Sequence, residues 1–178
     1  MTESSGLQLF FPNFTGGSVD QQQENSARVD GLLSEVATIF MRRGTPIRPF
    51  NNGQTRGFCS DPDMFHELRV TLETVSPGPS SGRREQIITI TYNRSILEEE
   101  DGRYRMTRHA VHLTHNVTRR LWSHRLVTGK ENTPSDILKL AGIYGVSPDL
   151  TEGITPEYAF RIIRNIAEQA DRRIMKSA

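Results

Sequence analysis

Apolar residues recur along the chain with two different periods. Val29, Leu32, Leu33, Val36 and Phe40 stand three or four apart, which places them on one stripe of a helix over 27–43. Asn25 or Ser26 can cap its start, because their side-chain oxygens accept from free backbone N–H groups. Arg42 and Arg43 fall in the last turn, at the negative end of the helix dipole, and Gly44 can close it. Over 66–75 the period becomes two. Leu68, Val70 and Leu72 alternate with Arg69, Thr71 and Glu73, the pattern of a half-buried strand. Gln86 to Tyr92 repeats it, with Ile88, Ile90 and Tyr92 on one face. The Pro- and Gly-rich stretch 76–82 between the two predicts an antiparallel hairpin with a long loop.

Three further elements are predicted. Asp101-Gly102 suits the positive backbone angles of a tight hairpin turn, so Tyr104 to about Thr114 reads as a third strand. Met106, Ala110, Leu113, Val117 and Leu121 also fit a helix, and a helix is expected from about Asn116 to Val127. Near the C-terminus, Thr133-Pro134 and Thr155-Pro156 each place a capping hydroxyl before a first-turn proline. The first start leads into Ile137, Leu138, Leu140 and Ala141. The second leads into a stripe of Ala159, Phe160, Ile163, Ile166, Ala167, Ala170 and Ile174. Residues 45–63, with three prolines and two glycines, read as a long ordered loop.

These elements predict an α+β fold: one domain over 27–178, with a small antiparallel sheet of about three strands packed with three or four helices. Residues 1–26, rich in Ser, Gly, Thr and Gln, read as a flexible tail. Leu7, Leu9, Phe10, Phe11 and Phe14 interrupt that tail. They either fold back on the core or form a docking segment for self-association. The length of 178 residues suits a single domain, and the longest apolar runs are far short of the roughly 20 residues of a membrane-spanning helix. The N-terminal residues show neither a basic start nor an apolar run, so the cytoplasm is the expected compartment. A single cysteine, Cys59, rules out an internal disulfide and a cysteine-built zinc site.

The net charge of +1 conceals a strong asymmetry. Residues 1–36 hold five acids and one base, and 98–101 add four consecutive acids. Residues 103–130 hold Arg103, Arg105, Arg108, Arg119, Arg120, Arg125 and Lys130 and no acid; the last helix adds Arg161, Arg164, Arg172 and Arg173. Arginine binds phosphate oxygens through a planar fork, so these residues are the candidate anion-binding set. The alternative is a solvated face, or pairing with the chain's own acidic turn. Tyr104 and Trp122 are the only aromatics between 103 and 130, few for a base-stacking platform.

Four of the five histidines lie in the same stretch. On a strand, His109 and His115 share a face and His112 faces away; on a helix, His109 and His112, and His112 and His115, are neighbours; the surrounding arginines disfavour a metal, and none is expected. No Gly-rich phosphate loop and no positioned Cys-His pair is present, so no cofactor and no catalytic residue is expected.

Arg48-Pro49-Phe50-Asn51-Asn52-Gly53 resembles the Arg-Pro-Phe-Asn-x-Gly stretch that precedes a strand in some rhabdovirus matrix proteins. The chain's length, its tail with an apolar segment and its basic surface are similar to that class. The match covers six residues. It departs from the vesicular animal viruses in lying in the first third of the chain, in lacking a Pro-Pro-x-Tyr motif and in having an acidic tail; the plant-infecting type accommodates these differences. The resemblance implies a structural virion protein that self-assembles beneath a membrane and contacts a nucleocapsid. It transfers no functional residues. The expected function is therefore a non-enzymatic, matrix-like assembly protein. It forms a homo-oligomer and binds an anionic membrane surface or RNA and nucleoprotein through its arginines. An RNA-binding protein without a membrane role and a phosphate-handling enzyme are the alternatives.

Overall fold

The computed structural model describes residues 19–61, 66–76, 78, 84–128 and 134–171. In chain order the elements are α1 (Val19–Arg42), β1 (Ile47–Asn51), β2 (Thr55–Ser60), β3 (His66–Val75), β4 (Glu85–Glu100), β5 (Arg103–Asn116), β6 (Leu121–Thr128), α2 (Pro134–Tyr144), β7 (Glu152–Ile154) and α3 (Pro156–Asp171). The strands form one seven-stranded antiparallel meander in the order β1-β2-β3-β4-β5-β6-β7. The fold is α+β, but the expected small sheet of about three strands is corrected to a large sheet of seven, with three helices.

The missed strands have specific causes. Residues 45–63 contain β1 and β2, not a long loop. Pro49 is tolerated because β1 is an edge strand, where a missing N–H breaks no ladder. Gly57 is required where it stands: a Cβ there would lie 1.9 Å from the Val70 carbonyl oxygen. Both residues look like loop punctuation in one dimension. The resembling stretch 48–53 itself forms most of β1 and the turn into β2, with Gly53 at φ +88°. Asn52 Oδ1 accepts from the N–H groups of Gln54 and Thr55 and from the Thr55 hydroxyl, which closes that turn.

The helix expected over 116–127 is also overturned. β5 runs on to Asn116, the chain turns, and β6 carries Trp122, His124, Leu126 and Thr128 inward. The turn holds neither Gly nor Pro. It is built instead by Asn116 Oδ1 accepting from the Arg119 N–H and by Arg120 in the left-handed region at φ 56°. At the N-terminal side, α1 begins at Val19 rather than 27. The docking segment Leu7 to Phe14 lies outside the described residues, as does Ile174.

All three helices pack on one face of the sheet. The inward strand residues Phe58, Leu68, Val70, Leu72, Ile88, Ile90, Tyr92, Val111, Leu113 and Trp122 share one core with Val29, Leu33, Val36 and Phe40 of α1, Leu140 and Tyr144 of α2, and Ile162, Ile163 and Ile166 of α3. Full burial of each large aliphatic side chain contributes about 1.5–3 kcal/mol. Register builds this face: Val70, Ile90, Leu113 and His124 are direct partners in one row, and Leu68, Tyr92, Val111 and Leu126 in the next. The predicted alternation in β3 and β4 is therefore the alternation seen. α2 and α3 begin at Pro134 and Pro156, the prolines expected in their first turns, and the Thr155 hydroxyl accepts from the Tyr158 N–H; the expected cap Thr133 lies outside the described residues. Gly145, at φ +64°, ends α2.

No described helix is long and apolar enough to cross a membrane.

Candidate anion-binding face

The sheet face opposite the core has no helix over it among the described residues. Strand alternation determines what it carries. Because partners in an antiparallel ladder project to the same side, one row crosses six strands: Arg48, Cys59, Arg69, Thr91, His112 and Arg125. The adjacent row is Phe50, Gly57, Thr71, Thr89, Thr114 and Ser123, a ladder of hydroxyls flanked by one aromatic ring. Strands lie about 4.8 Å apart, so the first row is a track of about 24 Å from Arg48 to Arg125. It contains no acid.

Arg69 and Arg125 are exposed and make no ion pair among the described residues. The Arg69 guanidinium lies over the Phe50 ring, 5.1 Å from its centroid, which orders the side chain while leaving its charge in solvent. Arg48 pairs with Asp61. The Thr91 hydroxyl is 3.4 Å from His112 Nδ1. Partial burial, and then the nearby Arg125 charge, hold the His112 pKa below its ordinary 6.5. His112 is accordingly neutral at pH 7, and the cations of the row are its arginines. Arg108 lies on the same side of β5, exposed and also without an ion pair among the described residues. Glu67, whose carboxylate accepts from the Asn93 amide, and Glu73 flank the track on β3.

The eleven arginines and lysines singled out in the sequence do not gather into one patch. Arg108 and Arg125 reach the open face. Arg103 and Arg105 are the register partners of Glu100 and Glu98 in the β4–β5 ladder. Arg119 binds the nearly buried Glu85 carboxylate at 2.7 Å, with Asn116 on its second oxygen. Arg120 is exposed in the β5–β6 turn. Arg161 lies over the Tyr158 ring and donates to the Gly145 carbonyl, while Arg164 is exposed. Both belong to the helical layer, on the other side of the molecule from the open face. Lys130, Arg172 and Arg173 lie outside the described residues. Arg48 and Arg69, which complete the track, were missed because they are distant in sequence from 103–130. Their signal was the outward phase of alternating strands.

The histidines divide as strand geometry requires. His112 faces out; His109, His115 and His124 face the helices. His115 stacks on Trp122 with centroids 4.2 Å apart, and His124 stacks against Tyr158. Burial lowers the pKa of both, opposed in part by nearby backbone groups, of Leu121 for His115 and of Leu150 and Ser147 for His124. Among the described residues no group of three or more His, Cys, Asp or Glu side chains could hold a metal ion.

No protein family, curated protein or solved structure matches this chain.

Proposed function

We propose that the chain is a non-enzymatic, matrix-like assembly protein that self-associates and binds an RNA strand, free or in nucleoprotein, on the open face of its sheet. The observation that carries this reading is the acid-free row from Arg48 to Arg125 beside a row of hydroxyls. A linear track of guanidinium groups and hydroxyl donors fits a phosphodiester backbone, which repeats charge along a line. Phe50 is half-buried beneath Arg69 and Tyr104 is the exposed aromatic on this side among the described residues, so contacts to phosphate outweigh base stacking, and binding is independent of sequence. The resemblance of 48–53 to rhabdovirus matrix proteins supports the same role, placed in the cytoplasm, at the inner face of a membrane or in a virion.

Fluorescence anisotropy with a labelled single-stranded RNA and sedimentation with anionic phospholipid vesicles, each at low salt, test it. Binding of the RNA that is weakened by Arg69→Gln/Arg125→Gln is the expected result. Binding to vesicles alone moves the partner to a lipid surface and overturns the RNA assignment. Binding to neither removes the polyanion from the function altogether.

A further inference from the structure

His66, Arg94, His109 and Thr128 are successive register partners across β3, β4, β5 and β6. Theirs is the last row that spans all four strands. Beyond it β4 and β5 run on together, with neither β3 nor β6 beside them among the described residues. Parity sends this row to the same side as Tyr92, Ile90 and Ile88, under the helices. One end of the core is therefore walled by basic and polar side chains.

Arg94 is half-buried. Its one hydrogen bond among the described residues runs from Nη1 to the Gln169 amide oxygen, 3.0 Å away on α3. That partner is buried and uncharged. Arg94 makes no ion pair among the described residues, and Glu168, the acid next to Gln169, is turned to Arg43 at 3.1 Å. A guanidinium has five N–H donors, and withdrawing its charge from water is costly without a counter-charge.

A second observation points to the same place. Tyr144, at the end of α2, is fully buried, and its hydroxyl has no hydrogen-bond partner. Its ring meets Tyr92 edge-on with centroids 6.2 Å apart, and the Tyr92 hydroxyl is 2.5 Å from His66 Nδ1. Burial pushes the Tyr144 pKa up to about 12, and the Arg94 charge is close enough to oppose that rise. The hydroxyl is thus a neutral donor at pH 7. Guanidinium and hydroxyl lack the same thing, an anionic acceptor.

We propose that the Arg94 guanidinium and the Tyr144 hydroxyl, in the row that also holds His66 and His109, bind a phosphate group, as inorganic phosphate or as the phosphate of a small monoester. The guanidinium fork takes two oxygens and the hydroxyl a third. A carboxylate has only two oxygens to offer. Arg94 and His66 are only half-buried, so the ligand enters from this end of the sheet. The site lies on the helix side and does not rest on the RNA track of the opposite face.

Calorimetric titration of the full-length protein with inorganic phosphate, and separately with glycerol 3-phosphate, tests it in chloride buffer of matched ionic strength. Wild type is expected to bind, with Tm rising about 2–4 °C at about five times the measured Kd. The tighter of the two ligands identifies the source of the phosphate. Tyr144→Phe is expected to bind at least about tenfold more weakly, yet without phosphate to be no less stable than wild type, because it removes an unsatisfied buried group. Arg94→Gln is expected to lose binding, with circular dichroism checking its fold. Arg69→Gln/Arg125→Gln is expected to bind phosphate like wild type, whatever its effect on RNA. Binding that survives both Tyr144→Phe and Arg94→Gln, or that vanishes with the open-face double variant, overturns the proposal. So does a protein that binds neither ligand; in that case Asp171→Asn as destabilising as Arg94→Gln assigns the counter-charge to the chain's own carboxylate, whose side chain lies outside the described residues.

Discussion

Removing charge from the open face makes a quantitative prediction. Three arginines on that side, Arg69, Arg108 and Arg125, make no ion pair among the described residues, whereas Arg48 is neutralised by Asp61. For single-stranded nucleic acid, each phosphate neutralised contributes about −0.7 to the slope of log affinity against log salt, so three contacts give about −2.1. Between about 50 and about 200 mM salt, the affinity of wild type then falls about 18-fold. Arg69→Gln/Arg125→Gln leaves one contact, a slope of about −0.7, and a fall of about 2.6-fold over the same range. Arg164→Gln removes an exposed arginine from α3, on the other side of the molecule, and is expected to leave the slope unchanged. Anisotropy titrations of a labelled oligonucleotide at four or five salt concentrations give all three slopes. A double variant with the wild-type slope, or an Arg164→Gln variant that flattens it as much, refutes the placement of RNA on this face.

Four further outcomes follow from the same geometry. His115 and His124 have pKa values lowered by burial below the ordinary 6.5. The unfolded chain therefore takes up protons near 6.5 while the folded chain does so only at lower pH; stability is full above that range and declines as pH falls through it. Urea midpoints at several pH values check this, and a midpoint independent of pH between 7.5 and 5 contradicts it. Arg125→Gln removes a cation that depresses His112; the His112 ring resonances in an NMR titration are expected to shift at higher pH than in wild type, though burial still holds them below 6.5. Gly57→Ala puts a methyl carbon 1.9 Å from the Val70 carbonyl oxygen, so β2 must move off β3 at a cost of about 1–3 kcal/mol. An unaltered thermal melt argues against that close approach. Leu113→Ala, at a fully buried position in the middle of the sheet, is expected to lose about 2–5 kcal/mol in chemical denaturation.

What the sequence determined by itself was local. Period-two alternation placed Leu68, Val70 and Leu72 against Ile88, Ile90 and Tyr92, because side-chain direction on a strand depends only on parity. The Asp101-Gly102 turn and the two Thr-Pro helix starts were legible for the same reason: a turn or a cap is satisfied by neighbours within a few residues. The strand reading also set His109 and His115 apart from His112. Tertiary structure decided the rest. β1 and β2 have little apolar content and exist because β3 offers an edge to pair with; Pro49 and Gly57 are read as breakers until that edge is present. The stretch 106–121 fits two periods, and the partners of Trp122 and Leu126 across β5 selected the strand. Charge shows the difference most clearly. A run of arginines in sequence is divided by strand parity between two faces, and one of them, Arg119, is held by Glu85 while Arg108 and Arg125 make no ion pair among the described residues. The candidate site draws Arg48 and Arg69 from one part of the chain and Arg108 and Arg125 from another, because electrostatic interaction depends on distance in space, which is set by register across the sheet.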